Sequence, residues 1–418
     1  MTPRKWLPAS LIVLVLGFNT AYGDEAPPKS GNATFDQAVK VVMDNFYDTS
    51  VLPRFTAAVG EAIAGLPADP VAQPEAIDAA IDHVLASLDS SHTGHYDANQ
   101  LDYYELADIF RFNFRQDLRR LFPPEGKITY PGIGIASAVI LGKRFVTDVY
   151  DGGPAAKAGI LAGDEILSAD GAPFQEIGSF RGKVGSNAKL EIRRQADATP
   201  LTIEVPVKEL EPSDTLIEGI TNSARVIERD GKKVGYLHIW TLAGGDVQEA
   251  INAALTGPLA SADALVVDLR GRWGGGPPDG AEVFLGGTPP FRFIERNGKG
   301  TVSNVRWHKP VVALIDEGSR SALEVFAYAL QAKGIPLVGS RTAGALLGAR
   351  GYMLPDGSLL EIPVAGVELD GQKLEGVGVT PDISVPFDVR YANGRDPQFD
   401  AAMERALATL LAREPRAG

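Results

Sequence analysis

One segment constrains the fold of this chain more than any other. A β-branched run, a polar turn and an amphipathic pattern follow one another between residues 311 and 333. Val311–Ile315 predicts a buried strand, because a short β-branched run bounded by a proline is typical of one. Apolar residues then recur at helical spacing, at Ala322, Val325, Phe326, Ala329 and Leu330. The pattern stops at Gly334. The sequence therefore predicts a strand–turn–helix unit with Ser321 in the first turn of the helix.

Ser321 occupies a position where a hydroxyl can act as a nucleophile. The first turn of a helix offers backbone N–H groups without intrahelical partners and the positive end of the helix dipole, and both can stabilise an oxyanion. The same position also suits a helix cap, since Glu324 follows at the capping-box spacing. Taken alone, the segment favours the cap. A base, an oxyanion hole and a substrate groove must come from elsewhere in the chain.

Composition narrows the classes of function. The 418 residues are 44% hydrophobic and 22% charged, as in a soluble protein with two or three cores. A net charge of −13 with no cluster of Lys and Arg argues against a nucleic-acid partner. The absence of cysteine excludes disulfides and a thiol nucleophile. The five histidines lack the spacing of a zinc site, so we expect no metal and no cofactor.

Residues 1–23 have the layout of a secretory signal. Arg4 and Lys5 precede an apolar stretch from Trp6 to Phe18, and small residues lead to Gly23. That stretch of about 13 residues is shorter than the roughly 20 that span a bilayer, which favours a cleaved signal over an uncleaved anchor. We therefore expect an exported protein, periplasmic or secreted, without a membrane span after signal removal.

The remaining chain divides by its periodicity. Helical spacing over residues 34–64, 74–88 and 99–121 predicts an N-terminal helical domain covering 24–127, with a polar loop at 89–96. Short β-rich runs follow. From 214 to 390, β-runs alternate with helical ones, which favours an α/β domain with a largely parallel sheet, and 391–418 contribute a terminal helix.

Residues 128–208 resemble a PDZ domain. The resemblance rests on the glycine-containing run 130–135 and on the stretch GPAAKAGILAGDEILSADG, residues 153–171. It implies that backbone N–H groups of Gly132, Ile133, Gly134 and Ile135 capture a peptide carboxylate while the peptide adds to a sheet edge. The alternative is a small β-domain that acts only as a spacer.

A second segment of the α/β region can supply an oxyanion hole. Val266–Leu269 reads as a strand, and the glycine-rich turn that follows contains Gly274, Gly275 and Gly276. Glycines let a backbone approach a ligand and direct N–H groups toward it. A simple tight turn would have the same composition.

Four segments occur in the order typical of one enzyme family: DLR with the glycine-rich turn, Ser321–Glu324, 338–344 and 376–382. With these, the chain resembles the tail-specific, or carboxyl-terminal processing, serine peptidases. The resemblance implies a crotonase-like α/β peptidase core and polypeptide substrates. Together with the PDZ-like region it covers about residues 80–390.

The chain departs from this family at one important position. Bacterial processing proteases of the family pair the serine with a lysine shortly after the nucleophile helix, but no lysine occurs from 334 to 372. Lys333 lies on the same helix as Ser321, about 18 Å away at 1.5 Å per residue. The resemblance is therefore to the branch without the lysine, which includes the tricorn protease core and interphotoreceptor retinoid-binding protein.

In the tricorn-like branch the base is a histidine in a loop before the PDZ domain. The resemblance implies that His92 is the base, that Ser91 and Glu375 orient it, and that N–H groups of Gly274, Gly275 and Ala322 hold the oxyanion. His95 is the alternative base if the loop is shifted, whereas we expect His238 to be structural and His308 to pack or to line the substrate site.

Three functions remain open at this point. The sequence favours an exported serine endopeptidase whose PDZ domain binds extended or C-terminal segments of polypeptides. A catalytically inactive peptide- or ligand-binding member of the same fold is the alternative, because a dead enzyme would also lack the lysine. A scaffold that uses only its PDZ domain is the third. The sequence does not determine the oligomeric state.

Overall fold

The computed structural model describes residues 28–67, 73–244, 246–276, 278–286, 291–294, 296, 300–303 and 305–413. The predicted signal, residues 1–23, lies outside these ranges. None of the described helices combines the length and apolar composition that crossing a bilayer requires.

The N-terminal region is helical, as the periodicity predicted. Its helices are α1 (Ala33–Asn45), α2 (Leu52–Gly65), α3 (Pro74–Ala86), α4 (Leu101–Ile109) and α5 (Arg115–Leu121), with a short strand, β1 (Gly94–Tyr96), between α3 and α4. The uninterrupted helix predicted over 34–64 is wrong, because the chain turns between α1 and α2. There the Asp48 carboxylate accepts the Ser50 N–H, and a new helix begins at Leu52 with Pro53 in its first turn. The pattern over 99–121 likewise divides into α4 and α5.

The second region is a β-domain with one short helix. Its elements are β2 (Tyr130–Gly132), β3 (Ile135–Ile140), β4 (Lys143–Val149), α6 (Pro154–Ala158), β5 (Glu165–Ala169), β6 (Asn187–Arg193), β7 (Leu201–Pro206) and β8 (Lys208–Leu210). Strands β3 to β7 form an antiparallel sheet in sequential order, and β2 pairs with β8. Helix α6 is followed by the cap residue Gly159, whose φ of +82° lies in the left-handed region that favours glycine.

The third region alternates strands and helices. They are α7 (Pro212–Ser223), β9 (Arg225–Arg229), β10 (Lys232–His238), α8 (Val247–Thr256), β11 (Ala264–Asp268), α9 (Glu282–Leu285), β12 (Phe291–Ile294), β13 (Gly300–Ser303), β14 (Val311–Ile315), α10 (Ala322–Ala332), β15 (Leu337–Gly339), β16 (Leu347–Met353), β17 (Leu359–Gly366), β18 (Ile383–Ser384) and α11 (Pro397–Arg413).

The central sheet of this region has the order β18-β15-β14-β11-β10-β9. All its neighbouring strands are parallel except β9 and β10, which confirms the predicted largely parallel sheet. Every residue of β11 and β14 is buried, as expected for strands covered on both faces.

Two pairings bring the site together. Strands β11 and β14 are parallel neighbours, so the turns that follow them, 269–276 and 316–321, leave the same edge of the sheet. Strand β1 pairs with β17, with Gly94 opposite Glu361. This second pairing attaches the polar loop of the N-terminal region to the third region.

Candidate active site

Ser321 has a backbone conformation that few residues other than glycine adopt. Its φ is +55° and its ψ is −123°, and it lies directly before α10 as the N-cap residue, one position earlier than predicted. The Ser321 N–H donates to the Ala345 carbonyl over 3.0 Å and to Glu324 Oε2 over 3.2 Å. Unusual backbone conformations persist where the surroundings hold them, and they are concentrated at functional sites.

Glu324 is the buried group that holds this turn. Its side chain accepts hydrogen bonds from the Thr342 hydroxyl at 2.6 Å and from the Gly344 and Ala345 N–H groups at 2.8 Å, in addition to the Ser321 N–H. Burial raises the pKa of Glu324, although these hydrogen bonds lower it. The sequence marked Glu324 as half of a capping box and missed its bonds to 342–345, which depend on tertiary structure.

The glycine-rich turn lies directly against the nucleophile turn. A Cβ on Gly274 would be 2.5 Å from the Ala322 nitrogen and 3.0 Å from Ser321 Cβ, so only glycine fits. The Gly274 carbonyl accepts hydrogen bonds from the Leu242 N–H and the Thr241 hydroxyl. Because a trans peptide directs its C=O and N–H to opposite sides, the Gly275 N–H points away from those two residues.

A hydrogen-bonded chain joins Glu375, Ser91 and His92. Glu375 Oε1 accepts the Ser91 N–H, and Oε2 accepts the Ser91 hydroxyl, each at 3.0 Å. The Ser91 oxygen lies 2.8 Å from His92 Nδ1. Since the hydroxyl proton is donated to Glu375, the Ser91 oxygen is left to accept a proton from Nδ1. This arrangement selects the tautomer in which Nε2 carries the free lone pair.

Ala345 and Leu346, which lie where the family has its lysine, connect the hydrogen bonds of Glu375, Ser91 and His92 to Ser321 through their backbone. The Leu346 N–H donates to Glu375 Oε2 at 2.8 Å, and the preceding Ala345 carbonyl accepts the Ser321 N–H. Lys333 is exposed at the end of α10. No hydrogen bond joins His92 to Ser321 among the residues that the structure describes.

His92 is buried, with 6% of its surface exposed, and like Ser321 it has a positive φ, +52°. Burial lowers the pKa of His92 to about 4, with a further contribution from the positive charge of Arg320. Arg320 directly precedes Ser321. The imidazole is therefore neutral at physiological pH and close enough to the nucleophile turn to respond to its charge.

The other histidines considered for the site lie in different surroundings. His95 Nε2 is 2.8 Å from the Ser358 hydroxyl, and its ring faces Asp78 and Asp356 in a group with metal-site spacing. His238 is buried and stacked on Trp240, as expected for a structural residue. His308 is exposed, which disfavours packing and leaves lining of the substrate site as a prediction.

The predicted peptide-binding residues of the β-domain line a groove that is nearly full. Gly132, Ile133, Gly134 and Ile135 surround about 10 Å³ of free volume, room for one water at most. Leu101, the first residue of α4, lines the same groove and is 5% exposed. Its N–H donates to Glu176 Oε2 at 3.3 Å.

Residues 233–385 match the family model described as peptidase family S41, and residues 145–194 match that of the PDZ domain. The chain carries an S41 peptidase domain. Ser321, Gly274 and Glu375 lie inside the S41 match, whereas Ser91 and His92 lie well before it. These matches, together with relatives named carboxyl-terminal processing proteases, confirm the predicted resemblance and fold class. The assignment to the branch without the lysine stays a prediction.

Three relatives show how far the similarity extends. The carboxyl-terminal-processing protease of Picosynechococcus sp. is 30% identical over 272 residues, 60% of this chain and 64% of the relative. CtpB of Bacillus subtilis is 25% identical over 296 residues, 67% of this chain and 60% of the relative. Tricorn protease homolog 1 of Streptomyces coelicolor is 31% identical over 272 residues, 60% of this chain and 24% of the relative. The chain thus spans less than two thirds of the length of each.

Solved structures support the same fold around the S41 domain. A photosystem II D1 C-terminal processing protease aligns with a TM-score of 0.50 and 22% identity, over 87% of this chain and 97% of that one. The tricorn protease aligns with a TM-score of 0.52 and 18% identity, over 90% of this chain and 36% of that one.

Proposed function

We propose that this chain is an exported serine endopeptidase in which Ser321 is the nucleophile and His92, instead of a lysine, is the base. The hydrogen-bonded chain from Glu375 through Ser91 to His92 carries the proposal. It presents a neutral imidazole in a defined tautomer. The Glu375 carboxylate also accepts the Leu346 N–H, and the preceding residue, Ala345, accepts the Ser321 N–H through its carbonyl.

In the proposed reaction, the Ser321 oxygen attacks the carbonyl carbon of the scissile peptide and its proton moves to His92 Nε2. The N–H groups of Gly274, Gly275 and Ala322 hold the oxyanion. His92 then returns the proton to the leaving amine as the C–N bond breaks. Water, deprotonated by the same nitrogen, hydrolyses the acyl-enzyme and regenerates Ser321.

Ser91 and Glu375 are positioning residues in this scheme. The Ser91 oxygen orients the ring through Nδ1–H, and Glu375 provides the negative charge behind it. A low pKa keeps His92 unprotonated and able to accept a proton at neutral pH. Hydrogen bonds of this kind often tighten only when substrate is bound, so the proposal requires Nε2 to reach Ser321 in the substrate complex.

The PDZ domain is proposed to bind extended or C-terminal segments of the substrate polypeptide. Gly132–Ile135 would supply backbone N–H groups to a carboxylate, and β3 would supply a strand edge. In this conformation the groove has too little free volume for a peptide side chain, and Leu101 is one of the residues that line it. Peptide binding at this groove therefore requires lining side chains to move, and we propose that Leu101 is one of them.

A serine-directed fluorophosphonate and an unfolded test protein test the assignment. We expect the wild-type chain to react and to cleave, and expect Ser321→Ala and His92→Ala to lose cleavage, whereas the exposed-site control His308→Ala retains it. The inactive binding member remains the second candidate because the lysine is absent. A folded wild-type chain that neither reacts with the probe nor cleaves would favour that candidate.

A further inference from the structure

A cavity of about 570 Å³ lies between the PDZ domain and the S41 domain. On the PDZ side it is lined by β4 residues Thr147, Asp148 and Val149. On the other side it reaches Trp273 and Arg320, which directly precede Gly274 and Ser321. Because Gly274 packs against Ser321 and Ala322, this end of the cavity adjoins the candidate active site.

Trp273 and Arg320 each contribute a buried hydrogen-bond donor without an acceptor. Trp273 is 7% exposed, and neither its indole N–H nor the Nε–H of Arg320 has a hydrogen-bond partner. The guanidinium carbon of Arg320 lies 4.5 Å from the centre of the Trp273 ring, so the two side chains are stacked. Buried donors are almost always paired in folded proteins, so unpaired donors on two stacked side chains that line the cavity indicate a missing acceptor.

The charge of Arg320 is not neutralised by an ion pair with any residue in the described ranges. Glu361 is the buried acid whose pKa responds to Arg320, but no contact within 4.0 Å joins the two. Burial raises the pKa of Glu361 to about 7, and its Oε2 is also without a hydrogen-bond partner. Burial is the main cause of the lowered pKa of His92, and the positive charge of Arg320 lowers it further.

The acids that line the cavity are mostly engaged elsewhere. Asp102 pairs with Arg272, and Asp396 pairs with Arg270. Four other acids line the cavity. Asp148 accepts a hydrogen bond from the Thr147 hydroxyl, and Asp151 accepts one from the Trp240 indole N–H. Desolvation raises the pKa of Asp316 to about 7, and Glu317 is exposed. None of these acids forms an ion pair with Arg320, so a carboxylate that enters the cavity beside it would supply the acceptor that its guanidinium lacks.

We infer that Arg320 and Trp273 form a carboxylate-binding site beside the nucleophile, which selects peptides carrying a carboxylate close to the scissile bond. The inference rests on the proposed function for the ligand being a polypeptide. Two sources share this chemistry: an Asp or Glu side chain near the scissile bond, and the free C-terminal carboxylate of the substrate. Guanidinium and indole N–H donors can bind either one.

Binding to the full chain carrying Ser321→Ala tests this without turnover. Four labelled peptides of one length are titrated by fluorescence anisotropy: Glu or Gln at the central position, each with a free or an amidated C-terminus. We expect the carboxylate form to bind roughly 10- to 100-fold tighter than its amide partner. Preference for Glu over Gln identifies a side-chain ligand, and preference for the free terminus identifies the α-carboxylate.

Second substitutions separate this site from the PDZ groove. Each substitution is combined with Ser321→Ala. Arg320→Gln should abolish the preference for the carboxylate peptide over its amide partner, and Trp273→Phe should weaken that preference roughly 3- to 10-fold. Arg320→Lys should leave an intermediate preference. Arg350→Gln, an exposed arginine near the Tyr352 ring, is the matched control and should change nothing. If Arg320→Gln does not fold, the affinities measured with Trp273→Phe and Arg320→Lys show whether the preference depends on this site.

Equal affinities for carboxylate and amide peptides would overturn the inference, and so would a preference that survives Arg320→Gln, Arg320→Lys and Trp273→Phe. These results are independent of catalysis. A chain that discriminates through Arg320 yet fails to react with the fluorophosphonate would keep this site and refute the peptidase. Cleavage that depends on Ser321, without any preference for carboxylate over amide peptides, would support the peptidase and refute this site.

Discussion

The Ser91 hydroxyl donates to Glu375 Oε2 over 3.0 Å and joins residues 284 positions apart in the sequence. Ser91 precedes the PDZ domain, and Glu375 lies near the end of the S41 match. A side chain from the N-terminal region therefore completes a hydrogen-bonded chain whose carboxylate belongs to the S41 domain.

Removal of either link should impair proton transfer more than substrate binding. We expect Ser91→Ala and Glu375→Gln each to lower kcat roughly 10- to 100-fold, with a smaller change in KM, because the imidazole loses its orientation. Steady-state cleavage of a fluorogenic peptide measures both constants. Ser90→Ala is the neighbouring control, since the Ser90 hydroxyl bonds to the Ser91 carbonyl and to Tyr47 but to none of the side chains of Ser91, His92 and Glu375. Unchanged kcat in both variants would contradict the assigned roles.

Glu324→Gln should destabilise the fold. All four of its hydrogen-bond partners are donors, so an amide NH₂ would face at least one N–H or hydroxyl donor in a buried site. We expect a loss of about 2 to 4 kcal/mol in the free energy of unfolding, measured by urea denaturation. Glu368→Gln, at an exposed position, should change it by less than about 0.5 kcal/mol. Comparable stability of the two variants would refute the central role of Glu324.

The low pKa of His92 should make stability depend on pH. Between pH 4 and 6.5 the unfolded chain binds a proton at His92 that the folded chain does not. The contribution of His92 to the free energy of unfolding is therefore complete above about pH 6.5 and is lost as pH falls toward 4.

Comparison with His92→Gln isolates this contribution. We expect the difference in the free energy of unfolding between wild type and variant to rise with pH by roughly 3 kcal/mol across this interval, and then to level off. Urea denaturation at several pH values measures it, with the exposed His308→Gln as control. A difference that is independent of pH would show that His92 titrates normally in the folded chain.

Leu101→Ala should open the PDZ groove. Because Leu101 lines the nearly filled groove, its truncation should raise the affinity for a peptide with a free C-terminus by about tenfold or more. Fluorescence anisotropy with a labelled peptide measures the affinity. Leu118→Ala truncates another leucine of the same buried cluster that does not line this groove, and should leave the affinity unchanged. Equal affinities of wild type and Leu101→Ala would show that Leu101 does not obstruct binding.

Local patterns in the sequence were sufficient for the elements around Ser321. A short β-branched run after a proline predicted β14, a period near 3.6 predicted α10, and both formed within one residue of the expected bounds. The break between α1 and α2 was missed, because helical spacing of apolar residues continued across a turn that Asp48 and Pro53 produce.

Sequence alone determined the order of the regions, the parallel sheet and the residue types available for chemistry, because periodicity, glycine placement and family motifs are properties of short segments. Tertiary structure alone decided which of those residues meet. Pairing of β1 with β17 brings the loop of Ser91 and His92 to the S41 domain, and Glu324 and Glu375 find their backbone partners across distant turns. Such contacts depend on how separate elements pack, and residue spacing along the chain carries no record of that packing.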